Sequence, residues 1–273
     1  MEPAKFYRPS KRLGQNFLRD LGTASQIVTL AQLTTKDTVL EPGAGYGTLT
    51  ERLQGAAGRV IAVEKDRYLA PYLRERFRDS PSVQVIEGDV LKVPLPSFNK
   101  IVGTPPYNIS SKLILFLLAS RFDTAHLVLQ KEFGERLLAR PGTAEYGRLS
   151  VTAQRRLEIR SLLEIPRTTF NPRPRVDSVL LAFSPKTART DVDQATFDDM
   201  LRGIFSQRRR LLKGVMSHYL ERRLGKDRAK AVIEELTLPS ARVYQLSVAQ
   251  LEDLCVQLSN AQSQSKPGIR AHS

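Results

Sequence analysis

A single cysteine, Cys255, stands among 273 residues. It has nothing to pair with inside the chain, which excludes an intramolecular disulfide framework and points to a reducing, cytoplasmic setting. Histidine is nearly as scarce. His126, His218 and His272 are far apart and none falls in a metal-ligand spacing, so no metal site is expected. Long apolar runs are missing too: the longest, Leu113 to Ala119, falls far short of the roughly 20 residues a membrane helix needs. Nor does an apolar segment of signal-peptide type follow the basic N-terminal stretch, so no membrane attachment is expected. Acidic charge is in deficit, with 28 Asp+Glu against 42 Lys+Arg and a formal net charge of +14. That excess suggests a polyanionic partner, nucleic acid before membrane. Residues 1–185 carry 27 basic and 18 acidic groups and residues 186–273 carry 15 and 10, so both parts are expected to face the polyanion. The length allows one large domain and a smaller one.

What is present is organised around Val39 to Thr50. Two apolar residues run into Glu41, then Gly43, Gly45 and Gly47 alternate before a helix-compatible segment, which reads as strand, tight turn, helix. Glycine permits φ > 0 and lets the backbone approach a ligand. The spacing is not the Gly-x-Gly-x-x-Gly of dinucleotide enzymes, and no Gly-Lys-Ser/Thr follows to hold a triphosphate. A nucleoside without phosphates fits best, and S-adenosylmethionine is the common one. Arg59 to Val63 reads as a second buried strand ending at Glu64, 21 residues after Gly43. That separation puts an acid at the strand tip, within reach of a ribose diol. Asp89, after the third strand Val83 to Ile86, can accept from an adenine amino group or merely cap a turn.

The fourth strand, Lys100 to Gly103, delivers Thr104-Pro105-Pro106-Tyr107. Two prolines form a stiff bracket of carbonyls, and Tyr107 offers a ring on which a base can stack. An exocyclic amine needs such acceptors, because its lone pair is delocalised until its N–H bonds are drawn toward tetrahedral geometry. Thr104, Pro106 and Tyr107 are therefore the candidate catalytic residues. Upstream, Leu13 to Leu18 is a polar turn with apolar flanks, in which Gln15 and Asn16 either reach a ligand or close the turn. Lys11 and Arg12 belong to a basic arm, Arg173 and Arg175 to a rigid proline-arginine segment, and Arg208, Arg209 and Arg210 to the expected start of a helix. All are candidates for nucleic-acid phosphate contact, with solvated surface as the alternative; RNA in particular is what the family resemblance implies. The boundary is expected at Ser184-Pro185: a domain over 1–185, a helical domain over 190–258 marked by helical apolar spacing from Phe197, and a disordered tail over 259–273.

With these pieces in order, the chain resembles the small-subunit ribosomal RNA adenine N6-dimethyltransferases, the KsgA/Dim family, over nearly its full length. The matching stretches are Gly14 to Leu18, Glu41-x-Gly43-x-Gly45-x-Gly47, Glu64-x-Asp66, Gly88-Asp89, Pro106 to Ser110, Tyr146 to Val151, Phe170-x-Pro172-x-Pro174-x-Val176-Asp177-Ser178 and Gln207 to Arg209. The wording from Lys131 to Gly147 is closer to archaeal members. The resemblance implies an α/β, Rossmann-like S-adenosylmethionine-dependent methyltransferase sheet with a small C-terminal helical domain. It implies dimethylation of two adjacent adenines near the 3′ end of small-subunit rRNA within a pre-ribosomal particle, by a cytoplasmic monomer. By position, Gln15, Asn16, Leu18, Gly43, Gly45, Glu64, Asp89 and Thr104 line the donor site. Thr104 departs from the family, which has asparagine there. Threonine keeps one acceptor oxygen on a shorter, β-branched side chain, so one amine contact survives with altered reach. Two rivals remain: a large-subunit rRNA adenine N6-methyltransferase, disfavoured by the Gln207 and Phe170 motifs, and a non-catalytic rRNA-binding assembly factor that has lost turnover at Thr104.

Overall fold

The computed structural model describes Ser10, residues 13–187 and residues 189–264, the side chains of 262–264 excepted. The chain runs β1 (Phe17–Leu18), α1 (Leu21–Leu30), β2 (Thr38–Pro42), α2 (Thr48–Leu53), β3 (Arg59–Glu64), α3 (Leu69–Arg76), β4 (Val83–Glu87) and β5 (Lys100–Gly103). It continues through α4 (Ser110–Ala119), β6 (Thr124–Gln130), α5 (Lys131–Leu138), α6 (Arg148–Arg156), β7 (Leu157–Ile165), β8 (Phe170–Asn171) and β9 (Ser178–Pro185). Four helices follow: α7 (Gln194–Phe205), α8 (Leu212–Leu224), α9 (Lys226–Glu235) and α10 (Val248–Gln264).

Seven strands form one sheet in the order β4-β3-β2-β5-β6-β9-β7. The first five are parallel, whereas β9 is antiparallel to both β6 and β7. Parallel strands bury both faces and so read as continuous apolar runs; Val39, Leu40 and Val60 to Val63 are all shielded from solvent. Strand order reverses between β2 and β5, which opens a crevice at their carboxyl ends where ligands bind in such sheets. Helix α1 begins at Leu21 because Asp20 caps it, accepting from Thr23 N–H at 2.6 Å. The short pair β1 and β8, with Phe17 opposite Asn171 and Leu18 opposite Phe170, ties the segment around Asn16 to the sheet domain.

The chain divides into two compact units, residues 1–135 with 157–186, and residues 136–156 with 187–273. Residues 136–156 therefore leave the 1–185 domain expected from sequence. The reason is burial: Tyr146 and Val151 are fully enclosed in one apolar cluster with Phe197, Met200 and Phe205. Arg155 reinforces this, its side chain 2% exposed and paired with Glu252 at 2.9 Å, with its guanidinium 4.2 Å from the Phe197 ring centroid. The disordered tail expected from 259 also needs correction. Helix α10 runs to Gln264 because Leu258 and Ala261 pack into the same cluster; residues 265–273 lie outside the described part. The expected helix start at Gln207 to Arg210 is instead the turn between α7 and α8. No helix among the described residues is long and apolar enough to cross a membrane.

Candidate active site

The crevice is lined at the carboxyl ends of four strands: Gly43, Ala44 and Gly45 after β2, Glu64 and Lys65 at β3, Gly88 and Asp89 after β4, and Thr104 and Pro106 after β5. Gln15, Asn16, Phe17 and Leu18 also line it. The glycine turn is held by two hydrogen bonds to the Val63 carbonyl, from Gly43 N–H (2.8 Å) and Ala44 N–H (3.2 Å). Gly43 has φ +77° and Gly45 has φ +58°, in the region that favours glycine. Space is tight as well: a Cβ on Gly43 would sit 3.0 Å from Pro106 Cδ, and one on Gly45 would sit 2.8 Å from Phe17 Cδ1. The glycine turn and the proline bracket thus meet face to face.

Glu64 is buried and accepts from Gly45 N–H and Asp66 N–H, both at 2.8 Å. Burial pushes its pKa up, and the two N–H donors work against that rise. Each carboxylate oxygen has two lone pairs, so acceptor capacity remains for a diol. Asp89 has one oxygen 3.0 Å from Lys65 Nζ while the other accepts from Leu91 N–H at 3.1 Å. Burial works against its charge, but the Lys65 bond, Leu91 and Lys92 more than offset this and hold its carboxyl below the ordinary range. Gln15 serves as a strut. Its carbonyl accepts from Ser10 N–H at 2.6 Å and its amide donates to Asp66 at 2.9 Å. Asn16 donates to the Gly14 carbonyl at 3.3 Å.

In the proline bracket, the Pro106 carbonyl accepts from Ile109 N–H at 3.1 Å and closes a 3-10 turn over Tyr107–Ile109. The Pro105 carbonyl has no hydrogen-bond partner among the described residues. Tyr107 is half-buried and outside the crevice lining; its hydroxyl meets Ser178 Oγ at 2.7 Å, which fixes the ring against β9.

Three features escaped sequence reasoning. Glu41 is 1% exposed, accepts from the Thr50 hydroxyl at 2.6 Å, and burial raises its pKa to about 8. Tyr46, between two glycines, lines the crevice with its ring centroid 4.5 Å from that of Phe17; an aromatic inside a glycine turn was the available signal. Asn108 and Ile109 also line it. Of the candidate RNA contacts, Lys11 and Arg12 lie outside the described residues. Arg173 and Arg175 are exposed in the first unit, and Arg209 and Arg210 are exposed in the second. Arg208 differs: its guanidinium donates to the Ala144 carbonyl at 2.8 Å and to the Tyr146 carbonyl, so it clamps a loop of its own unit.

A doubly wound sheet, a phosphate-free glycine turn, an acid at the tip of β3 and a rigid set of carbonyls opposite define an S-adenosylmethionine-dependent amino-methyltransferase. The glycine cradle that a Cβ would fill and the acceptors Glu64 and Asp89 suit that donor. The ribosomal RNA adenine dimethylase family model matches residues 8–258, and the chain belongs to that family of rRNA adenine dimethyltransferases. A probable ribosomal RNA small subunit methyltransferase A of Thermococcus onnurineus is 38% identical over 254 residues, covering 90% of this chain and 91% of its own. Among solved structures, a dimethyladenosine transferase from Plasmodium falciparum is 28% identical with a TM-score of 0.82, covering 90% of this chain and 98% of that one. The 23S rRNA methyltransferase ErmE is 29% identical with a TM-score of 0.65, covering 89% and 100%.

Proposed function

We propose that this enzyme dimethylates N6 of two adjacent adenines near the 3′ end of small-subunit rRNA, acting as a cytoplasmic monomer on a pre-ribosomal particle. The observation that carries the reading is the abutment of the glycine turn on the proline bracket, where a Cβ at Gly43 would come within 3.0 Å of Pro106. S-adenosylmethionine, when bound, supplies an electrophilic methyl group. Glu64 accepts from its ribose hydroxyls, Asp89 accepts from its adenine amine, and Gly43 and Gly45 leave room for it. Asn16, Leu18 and the Phe17 ring complete the wall, with Gln15 holding Asp66 in place. On the substrate side, Thr104 Oγ1 and the Pro105 carbonyl accept the two N–H bonds of the target amine. The Pro106 carbonyl expected from sequence gives one lone pair to the 3-10 turn and keeps the other for the same amine. Tyr107, anchored by Ser178, stacks on the extruded base.

Phosphate contact falls to Arg173 and Arg175 in the first unit and to Arg209 and Arg210 in the second. The similarity to ErmE keeps large-subunit rRNA as the second reading. The test is transfer of radiolabelled methyl groups to immature small-subunit and to large-subunit particles, with nucleoside digestion to count methyls per adenine. Dimethyladenosine in the small-subunit RNA alone is expected. Labelling confined to the large subunit would reverse the assignment, and no labelling of either would leave an RNA-binding assembly factor.

A further inference from the structure

At the carboxyl end of β6 the first unit carries a second concavity, lined chiefly by Lys131, Glu132, Glu135, Arg167, Arg175 and Asp177. It adjoins the reaction loop through a short chain of contacts. Tyr107 Oη meets Ser178 Oγ, Ser178 is paired with Gln130 across β9 and β6, and Lys131 N–H donates to the Asp177 carbonyl at 3.0 Å. Several of the charges are already engaged. Lys131 Nζ is 2.9 Å from Glu164, Asp177 Oδ1 accepts from Arg167 N–H at 2.9 Å, and Arg167 Nη1 donates to the Arg175 carbonyl at 2.9 Å. That last bond uses one of five guanidinium donors. The side chains of Arg175, Glu132 and Glu135 are exposed and make no hydrogen bond or ion pair among the described residues.

A groove of this composition does not suit a bare polyphosphate, which its carboxylates would repel. It suits a single nucleotide, whose phosphate matches a guanidinium fork and whose base amine matches a carboxylate acceptor. An extruded adenine stays covalently joined to its strand, so its neighbour must lie close to Tyr107. We propose that this groove holds the nucleotide next to the target adenine, with Arg167 and Arg175 on its phosphate and Glu132 and Glu135 accepting from the exocyclic amine of its base. The inference deepens the proposed function and rests on it. It makes the groove a specificity device that disfavours uracil, which has no exocyclic amine.

The experiment uses the full chain and immature small-subunit particles whose RNA carries uridine on the 5′ or on the 3′ side of the adjacent adenine pair, so that both targets remain, with kcat/KM read at each adenine separately. Arg175→Ala is expected to raise the KM for unmodified particles about tenfold and to flatten the salt dependence by about one unit of log–log slope. Donor affinity, read by calorimetry, is expected to stay at the wild-type value. One of the two uridine substitutions is expected to lower wild-type kcat/KM about tenfold and to have little further effect on the Glu132→Gln/Glu135→Gln variant. Wild-type transfer combined with indifference to uridine on both sides overturns the inference alone; an unchanged KM and slope in Arg175→Ala overturns it together with the place of Arg175 among the proposed phosphate contacts. Absence of wild-type transfer to small-subunit particles, with donor binding intact, overturns the proposed function and this inference with it.

Discussion

Replacing Gly43 with alanine probes the meeting of the two loops at one atom. Gly43 has φ +77°, where an L-residue is disfavoured by roughly 1–2 kcal/mol. The added methyl would stand 3.0 Å from Pro106 Cδ and 3.5 Å from Pro105 Cα. Carbon pairs settle at about 3.5–4.0 Å, so the bracket has to withdraw by about half an ångström. A 1 Å misplacement at a reacting centre costs about 100-fold in rate; half of that implies a loss of about tenfold. The expected outcome is a first unit less stable by about 1–2 kcal/mol and a single-turnover methyl transfer slower by about tenfold at saturating donor. Rapid-quench kinetics with radiolabelled donor, beside thermal melting, measures both. Gly142→Ala is the control, because φ is +89° there but a Cβ meets nothing within 4 Å; it should lose stability and keep the rate. Wild-type turnover in Gly43→Ala would refute the abutment and with it the catalytic geometry.

Glu41 has a folded pKa near 8 against an ordinary 4.5, so its proton stabilises the fold. That contribution is whole below about pH 4.5 and is lost as pH rises through about 8, with a slope of up to about 1.4 kcal/mol per pH unit; Glu41→Gln should flatten this segment of the stability–pH curve. Glu64→Ala is expected to weaken donor binding by roughly 1.5–3 kcal/mol, and unchanged affinity by calorimetry would remove Glu64 from the site. Arg155→Met should destabilise the second unit by about 3–5 kcal/mol, since Glu252 is left buried without its partner, whereas adding Glu252→Leu should recover most of the loss in denaturant melts. Arg208→Ala should lower stability by about 1–3 kcal/mol while leaving the salt slope of RNA binding in place. Arg209→Ala should do the reverse, and a flattened slope in Arg208→Ala would return that residue to the phosphate contacts.

Sequence made the crevice legible because its chemistry is local. Gly43, Glu64 and Thr104 each follow an apolar run whose length sets the strand, and Lys100 to Gly103 is the fourth parallel strand as read. The misreadings involve partners distant in sequence. Nothing around Arg155 announces that a charged residue is enclosed, because the enclosing groups are Phe197, Gln194 and Glu252. For that reason the segment of α6 reads from sequence as part of the 1–185 domain, whereas it packs with the second unit. Arg208 looks like its neighbours in sequence, yet carbonyls 62 and 64 residues away occupy its guanidinium. Which of the two proline carbonyls closes the 3-10 turn is likewise not written in a Pro-Pro dipeptide.

The second unit takes its first helix from the stretch before β7 and its remaining four from the stretch after β9. During synthesis, Tyr146 and Val151 therefore leave the ribosome well before the residues that will cover them, and the hairpin that completes the sheet emerges between the two. A fragment ending at Lys186 would keep every strand of the seven-stranded sheet and still present the uncovered face of α6, with Val151, to solvent. Cutting the protein to separate its halves would call for rejoining the chain across residues 136–156, since no single break falls between them.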